Sequence, residues 1–261
     1  MLLSLPLFLT VLAPARAQER VDASLGVWLA PADTVAMGGA GIGLATGATG
    51  LYLLPAAAAA RRSDQTRTFS PTGTIGFMRV GDRGSVDLGN TGLKNAEWDG
   101  LAGNLGGGLI YGDLGVGVVA RVLRYEDGEG QQVSLYQGHS GLASRLLGGQ
   151  LIVGAGLAPL VLDAGLSDVE STWWGMGAEV GALIAASSTG LSGGVGWRSQ
   201  VSAAADEGEL KGTNEAVMPP QLSLGVAWAS REATSWMRHV RGVADVVITG
   251  RVEEAVATEL A

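Results

Sequence analysis

Cysteine, histidine and long apolar runs are scarce or absent in this sequence. Its 261 residues include no cysteine and only two histidines, His139 and His239. Without cysteine there can be no disulfide, thiolate metal site, cysteine nucleophile or lipoprotein anchor, and two histidines are too few for a His-rich metal site. An uninterrupted apolar run of about 18 residues is also missing, which excludes transmembrane helices.

Charged residues are scarce as well, at 16% of the chain, and the net charge is −8. The basic residues are scattered, so the sequence offers no clustered positive face to bind nucleic acid. Glycine, with 42 residues, and a hydrophobic fraction of 47% dominate instead. A chain this apolar without membrane-spanning helices is typical of a closed barrel in lipid, because a barrel pairs its backbone groups between strands.

The first residues have the features of a secretory signal. Leu2 to Leu12 form a short apolar region, and Ala15-Arg16-Ala17 supplies a small-x-small cleavage pattern. This predicts a signal peptide at residues 1–17 and a mature chain that begins at Gln18. Since no Lys or Arg precedes the apolar region, a buried N-terminal helix or strand remains the alternative.

Alternation with a period of two runs through the chain from about Asp99 onward. Leu224 and Val226, for example, lie on one face of a strand, while Ser223 and Gly225 lie on the other. This period indicates β-strands, whose successive side chains point to opposite faces. Strands are predicted near residues 72–80, 100–111, 114–125, 132–145, 150–161, 172–186, 191–202, 221–230 and 240–250, with 252–261 as a candidate for one more.

One face of these strands is mostly glycine, with an occasional Arg, Glu or Gln, so we expect that it cannot form a packed core. The apolar face must then be the buried one, and lipid can bury it. The predicted strands have about ten residues or more, close to the 9–11 of membrane strands and longer than the usual five or six of soluble sheets.

Short and long connections alternate between the predicted strands, as in transmembrane barrels with periplasmic turns and external loops. We expect the long, acidic connections to face outward. Three tryptophans, Trp174, Trp197 and Trp228, are expected near strand ends in an aromatic girdle. The predicted tight turns are 112–113, 148–149 and 188–190, and the predicted long connections are 126–130, 163–170 and 203–216.

The predicted fold is therefore an all-β, antiparallel up-and-down transmembrane β-barrel of about ten strands at residues 66–261, located in the outer membrane. Residues 18–65 are predicted to form an N-terminal segment inside the lumen. Arg121, Glu179 and Arg198 should point inward. They would either line a polar lumen or pair with one another as structural ions.

A motif before the strands resembles the N-terminal signature of the FadL/TodX and PorV-type group of outer-membrane proteins. Residues 36–46 read AMGGAGIGLAT, and residues 48–56 read ATGLYLLPA. Met37-Gly38-Gly39-Ala40, Leu51-Tyr52 and Pro55-Ala56 match that signature, whereas Leu54 replaces its asparagine. The resemblance covers about twenty residues.

This resemblance implies that the N-terminal segment is a hatch inside the barrel, with Met37, Gly38, Gly39, Ala40, Tyr52 and Pro55 as hatch or ligand-binding residues. It also implies passage or binding of small hydrophobic molecules, such as fatty acids or hydrocarbons. The alternative is a non-transporting PorV-like partner or scaffold barrel in surface-protein export or envelope organisation. A continuous apolar pocket beside Met37–Gly43 would favour transport, and a filled interior would favour the scaffold.

The sequence gives little support for an enzymatic function, and we expect no catalytic residue, metal or cofactor. The glycines at 39, 41 and 43 imitate a dinucleotide loop, but Leu44 stands where its last glycine belongs. His139 with Ser140 or Ser144 could suggest a hydrolase acting on lipid. His139 and Ser140 are neighbours in a strand, however, and would point to opposite faces.

The C-terminal residues suggest that the chain is shorter than a complete member of the group. Barrels usually finish on a strand with a terminal aromatic residue that the barrel-assembly machinery reads, whereas this sequence stops at Glu259-Leu260-Ala261. Either residues 252–261 pair with the first strand near Thr72, or with 23–29, and close a small barrel, or residues are missing. We favour missing residues.

Overall fold

A computed structural model describes residues 19–22, 41–61, 68–82, 98–127, 132–166, 169–185, 190–207, 214–229 and 241–250. These residues form a single sheet of twelve strands. The strands are β1 (Glu19–Asp22), β2 (Phe69–Asp82), β3 (Trp98–Tyr111), β4 (Leu114–Asp127), β5 (Gln132–Leu146), β6 (Leu151–Leu166), β7 (Val169–Ala185), β8 (Leu191–Arg198), β9 (Val201–Glu207), β10 (Asn214–Met218), β11 (Gln221–Ala229) and β12 (Arg241–Thr249).

Helical structure in the described residues is limited to single turns. Three lie between β1 and β2 and one lies between β5 and β6. None is long and apolar enough to cross a membrane. The 3-10 turns are Ile42–Leu44, Pro55–Ala59 and Leu147–Gly149, and the α-helical turn is Gly47–Gly50.

Consecutive strands from β2 to β7 pair as antiparallel hairpins. The last residues of β7 pair with β8 and its first residues with β9, so β8 and β9 act as one long strand broken at residues 199–200. Strands β10 and β11 are interrupted in the same way by Pro219 and Pro220, which have no N–H to donate. All nine predicted strands are therefore present.

The predicted antiparallel pairing is confirmed for the described strands from β2 to β12. Strand β1, which precedes them, pairs with β10 in parallel. The prediction of long acidic connections is partly wrong, because residues 126–127, 163–166, 169–170, 203–207 and 214–216 continue the hydrogen-bonded ladders of the strands. Acidic and small residues locally favour a loop prediction, but pairing with a neighbouring strand determines their conformation. The predicted positive-φ turn glycines Gly112, Gly148 and Gly149 are confirmed.

The alternation of the two faces is confirmed on the described strands. On β7, Trp174 and Val180 are 54% and 47% exposed, whereas Glu179 between them is 6% exposed. Large apolar side chains are exposed on β2 to β8 and on β11 and β12. The glycine-rich face turns inward.

The sheet curves around the residues that precede β2. Ala48 N–H donates to Thr72 Oγ1 on β2 (3.2 Å), and Gly41 N–H donates to an Asp245 oxygen on β12 (2.6 Å). Nine strands lie side by side from β2 to β12, which is about 38 Å in a flat sheet. The seven residue-to-residue steps from Gly41 to Ala48 reach at most about 25 Å. The sheet therefore bends and brings its two edges toward each other.

The described residues show no ladder between β2 and β12, since β2 pairs with β3 and β12 with β11. The predicted signal peptide at 1–17 and the candidate closing tract at 252–261 lie outside the described residues.

The interior of the curved sheet is filled by two buried clusters, so the expectation that the glycine face cannot form a packed core is wrong. Glycine leaves room for a second piece of chain to approach the sheet closely. The first cluster joins residues 41–60 to inward side chains of four strands, including Val119 and Ile152. The second lies farther along β5 to β7 and includes Leu160, Trp173, Val201 and Met218.

Candidate functional site at the plug and inner wall

Residues 41–61, named the plug here, fill the centre of the curved sheet. Apart from Arg61, their side chains are uncharged, and most are small, so the segment packs closely against glycines of the wall. An added Cβ at Gly117 or Gly141 would lie only 2.8 or 2.6 Å from the Leu51 methyl groups. The glycines of the inner face therefore form the surface on which the plug packs, which we call its seat.

Few polar side chains of the wall hold the plug. The Asp245 carboxylate on β12 accepts hydrogen bonds from the N–H groups of Gly41 (2.6 Å) and Ile42 (2.9 Å) through one oxygen. The Ser192 hydroxyl donates to the carbonyl oxygen of Gly43 at 2.6 Å. These bonds tie the first residues of the plug to β8 and β12, in addition to its contact with Thr72 on β2.

Tyr52 is the largest polar side chain of the plug and is buried. Its hydroxyl donates to the carbonyl oxygen of Ala120 at 3.3 Å. The Tyr52 ring meets the His139 ring edge-on, with 5.8 Å between ring centroids. The sequence motif thus places Tyr52 against the wall, together with Pro55, which begins the second 3-10 turn of the plug.

Tyr52→Phe should lower the free energy of unfolding by about 0.5–1.5 kcal/mol, the usual contribution of one hydrogen bond. Urea unfolding of the purified protein measures this change. Tyr136→Phe is the matched control, since Tyr136 is 47% exposed on the outer face. Equal losses in the two variants would contradict the position of the plug.

Five inward side chains form a polar cluster beside the plug. His139 Nδ1 and Glu179 Oε1 are 2.9 Å apart. Arg121 donates to Gln137, and the Gln137 amide contacts the sulfur of Met218. Arg198 completes the cluster and donates to Gln221 Oε1 at 2.9 Å.

In the structure Arg121, Glu179 and Arg198 lie on the inner face of the sheet. Of the two roles left open for them, direct ion pairing is not observed, because in the described structure neither arginine lies within salt-bridge distance of Glu179. Each arginine bonds to a glutamine, and Glu179 bonds to His139. The three residues thus share one polar region, and each is bonded to a side chain outside the trio.

Sequence reasoning missed His139 and Asp245 as members of this site. His139 is 1% exposed and faces inward, and alternation along β5 with Tyr136 and Leu142, which are exposed on the outer face, could have indicated this. Ser140 lies on the other face, as predicted, and its hydroxyl accepts from the Leu157 N–H at 2.9 Å. The pair is therefore not a catalytic dyad. Nothing in the sequence around Asp245 indicates that it bonds to the start of the plug.

A small cavity of about 20 Å³ lies between the plug and the wall, which is room for about one water molecule. Its lining includes Tyr52 and Pro55 from the plug and Glu179, Arg198 and Ser223 from the wall. Among the described residues no group of three or more acidic or histidine side chains could hold a metal ion. The hatch residues Met37, Gly38, Gly39 and Ala40 lie outside the described residues.

Comparison with known proteins adds no relative to this picture. No protein-family model matches the chain, and searches of curated proteins and of solved structures gave no significant match.

Proposed function

We propose that this chain is an outer-membrane β-barrel protein with a plugged interior. The observation that carries the proposal is the exposed apolar outer face. On β7, the outward residues from Trp174 to Ile184 are all apolar and span eleven positions. Transmembrane strands need about 9–11 residues to cross the hydrocarbon. Soluble monomers rarely expose continuous apolar patches above a few hundred Å².

The ends of the outer apolar face support the same proposal. Charged residues follow the apolar positions on three strands, at Arg79, Arg124 and Asp163, all near the ends that lead to the longer connections. Trp174 is exposed toward that same end of β7, and Trp228 is exposed near the opposite end of β11. Trp197 is exposed as well, but it pairs with Val180 within the outward apolar run of β7, so it does not lie at a border. Tryptophans at both borders fit the two aromatic girdles of a membrane barrel.

Within the envelope, we assign the protein the role of a partner or scaffold barrel, in surface-protein export or envelope organisation. The filled interior supports this choice, because two buried clusters and the polar cluster occupy the described lumen. The cavity beside the plug is small and partly charged, so it offers no apolar route for a hydrophobic molecule. The expected partners are the lipid bilayer, the barrel-assembly machinery and an exported protein.

Passage of fatty-acid-like or hydrocarbon-like molecules is the second candidate, and the resemblance at Met37–Ala40 favours it. Deleting Met37 to Gly43 separates the two functions. A transporter should show changed uptake of a hydrophobic fluorescent probe while the barrel stays inserted. A scaffold should take up no more probe than empty-vector cells, before or after the deletion. Altered uptake by an inserted variant would overturn the scaffold assignment.

The wild-type protein offers an independent test of the same choice. Mass spectrometry of small molecules that co-purify with the detergent-extracted protein should find only bulk membrane lipids if the interior is filled. Enrichment of one hydrophobic compound over a barrel of similar size would favour transport.

A further inference from the structure

The wall behind the plug carries buried polar atoms that the plug does not satisfy. His139 Nε2, Glu179 Oε2 and Arg198 Nε have no hydrogen-bond partner among the described residues. His139 is 1% exposed and Glu179 is 6% exposed. Burying such groups without partners costs free energy that contact with water would restore. The closed arrangement therefore leaves these three buried polar atoms without a partner among the described residues.

Beside Tyr52 and Pro55, the surface that faces the plug is polar and can be wetted. It carries the polar cluster and hydroxyl and amide side chains such as Ser223 and Gln221, whereas elsewhere apolar wall side chains such as Val119 and Ile152 contact the plug. If the plug moved away, water and small ions could occupy this space. A hydrophobic molecule there would have to remove water from two arginines and a glutamate, which is costly.

At the start of the plug, Asp245 supplies the only carboxylate that holds it among the described residues. Its Oδ2 accepts both the Gly41 and the Ile42 N–H, while its Oδ1 has no partner. Charge-assisted bonds of this kind are stronger than neutral ones. Most other plug contacts are between small apolar side chains and glycine. Asp245 is thus the charged side chain that ties the start of the plug to β12.

We propose that Asp245 is a latch and that its release from Gly41 and Ile42 opens a hydrophilic pore for water and small inorganic ions. The pore lies between the plug and the wall that carries His139, Glu179 and Arg198. The inference rests on the proposed membrane barrel and goes beyond the scaffold role, which needs no opening.

Conductance of the purified full chain in planar bilayers with potassium chloride tests the latch. Asp245→Ala removes both bonds and should raise the open probability at least about tenfold over wild type, since each charge-assisted bond contributes enough for a tenfold change. Asp245→Asn is the matched control. Its amide oxygen still accepts both N–H groups, so the increase should be smaller.

A reversible lock tests whether the plug is the gate. The Leu54 Cβ lies 3.4 Å from an ideal Cβ at Gly196 on β8, close to the separation in a disulfide. The chain has no cysteine, so Leu54→Cys with Gly196→Cys forms a single, defined crosslink. In the Asp245→Ala background, the oxidised pair should be silent and reduction should restore conductance. Leu54→Cys with Gly242→Cys is the control, because no atom lies within 4 Å of a Cβ at Gly242.

The outcomes separate the pore from the barrel. An inserted, heat-modifiable Asp245→Ala protein that conducts no more than wild type, or no more than Asp245→Asn, overturns the latch. Conductance that persists in the oxidised Leu54–Gly196 pair overturns the plug as gate. A wild-type protein that does not enter bilayers overturns the proposed barrel, and the pore with it.

Discussion

Leu224→Arg should prevent stable membrane insertion of this chain, whereas Leu147→Arg should leave insertion intact. Both leucines are exposed, at 43% and 74%, but Leu224 lies within the outer face of β11 and Leu147 lies in a turn. An arginine at the middle of a barrel's lipid face costs about 2–4 kcal/mol, and near the interface it costs about 0–1 kcal/mol. Heat-modifiability of the membrane fraction on gels measures the inserted protein.

A soluble sheet would tolerate both substitutions, because an added charge at either exposed position would improve its solubility. Equal insertion of the two variants, or none for wild type, would contradict the membrane assignment. Ser223→Arg, on the opposite face of β11, is not a suitable control for Leu224→Arg. Ser223 is 8% exposed and lines the small cavity, so an arginine has no room there.

Gly154→Val should expel the plug from its seat. A Cβ at Gly154 would lie 2.7 Å from the Ala56 nitrogen and 2.8 Å from the Ala56 Cα, so plug backbone must move. Overpacking of this kind costs about 1–3 kcal/mol, and more where backbone is displaced. We expect a lower urea midpoint and loss of the Leu54–Gly196 crosslink.

Gly107→Val is the matched control for that variant. A Cβ at Gly107 has only the Thr72 carbonyl oxygen near it, at 3.7 Å, and valine favours strands. It should therefore keep both the urea midpoint and the crosslink. If Gly154→Val crosslinked as efficiently as Gly107→Val, the plug would not occupy the described position.

The faces of the strands could be predicted from sequence because alternation is a local property. Trp174 and Val180 are separated from Glu179 by pleating alone, whichever strands lie beside β7. The same reasoning placed Arg121 and Arg198 inward. It did not show their hydrogen-bond partners. Gln137 and Gln221 lie opposite the two arginines on neighbouring strands, and the sequence does not give the register between strands.

Long-range features could not be predicted in this way. Asp245 meets Gly41 across 204 positions of sequence, and nothing in the residues around either one indicates the other. The parallel pairing of β1 with β10 and the strand character of β9 depend equally on distant partners. From the sequence, the glycines along the inner face indicate only a surface without side chains. Their role is to let the plug approach closely, and this role is seen only when the sheet and the plug are both present.

The bond between Asp245 and the start of the plug has a consequence for the order of folding. The plug lies near the beginning of the chain and is synthesised early. Asp245 on β12, which accepts hydrogen bonds from the start of the plug, comes about two hundred positions later. Contacts of such high sequence separation form slowly, because a long loop must close before they contribute. The plug therefore completes its seat only when the last described strand has joined the sheet, and its docking marks the end of assembly rather than its nucleus.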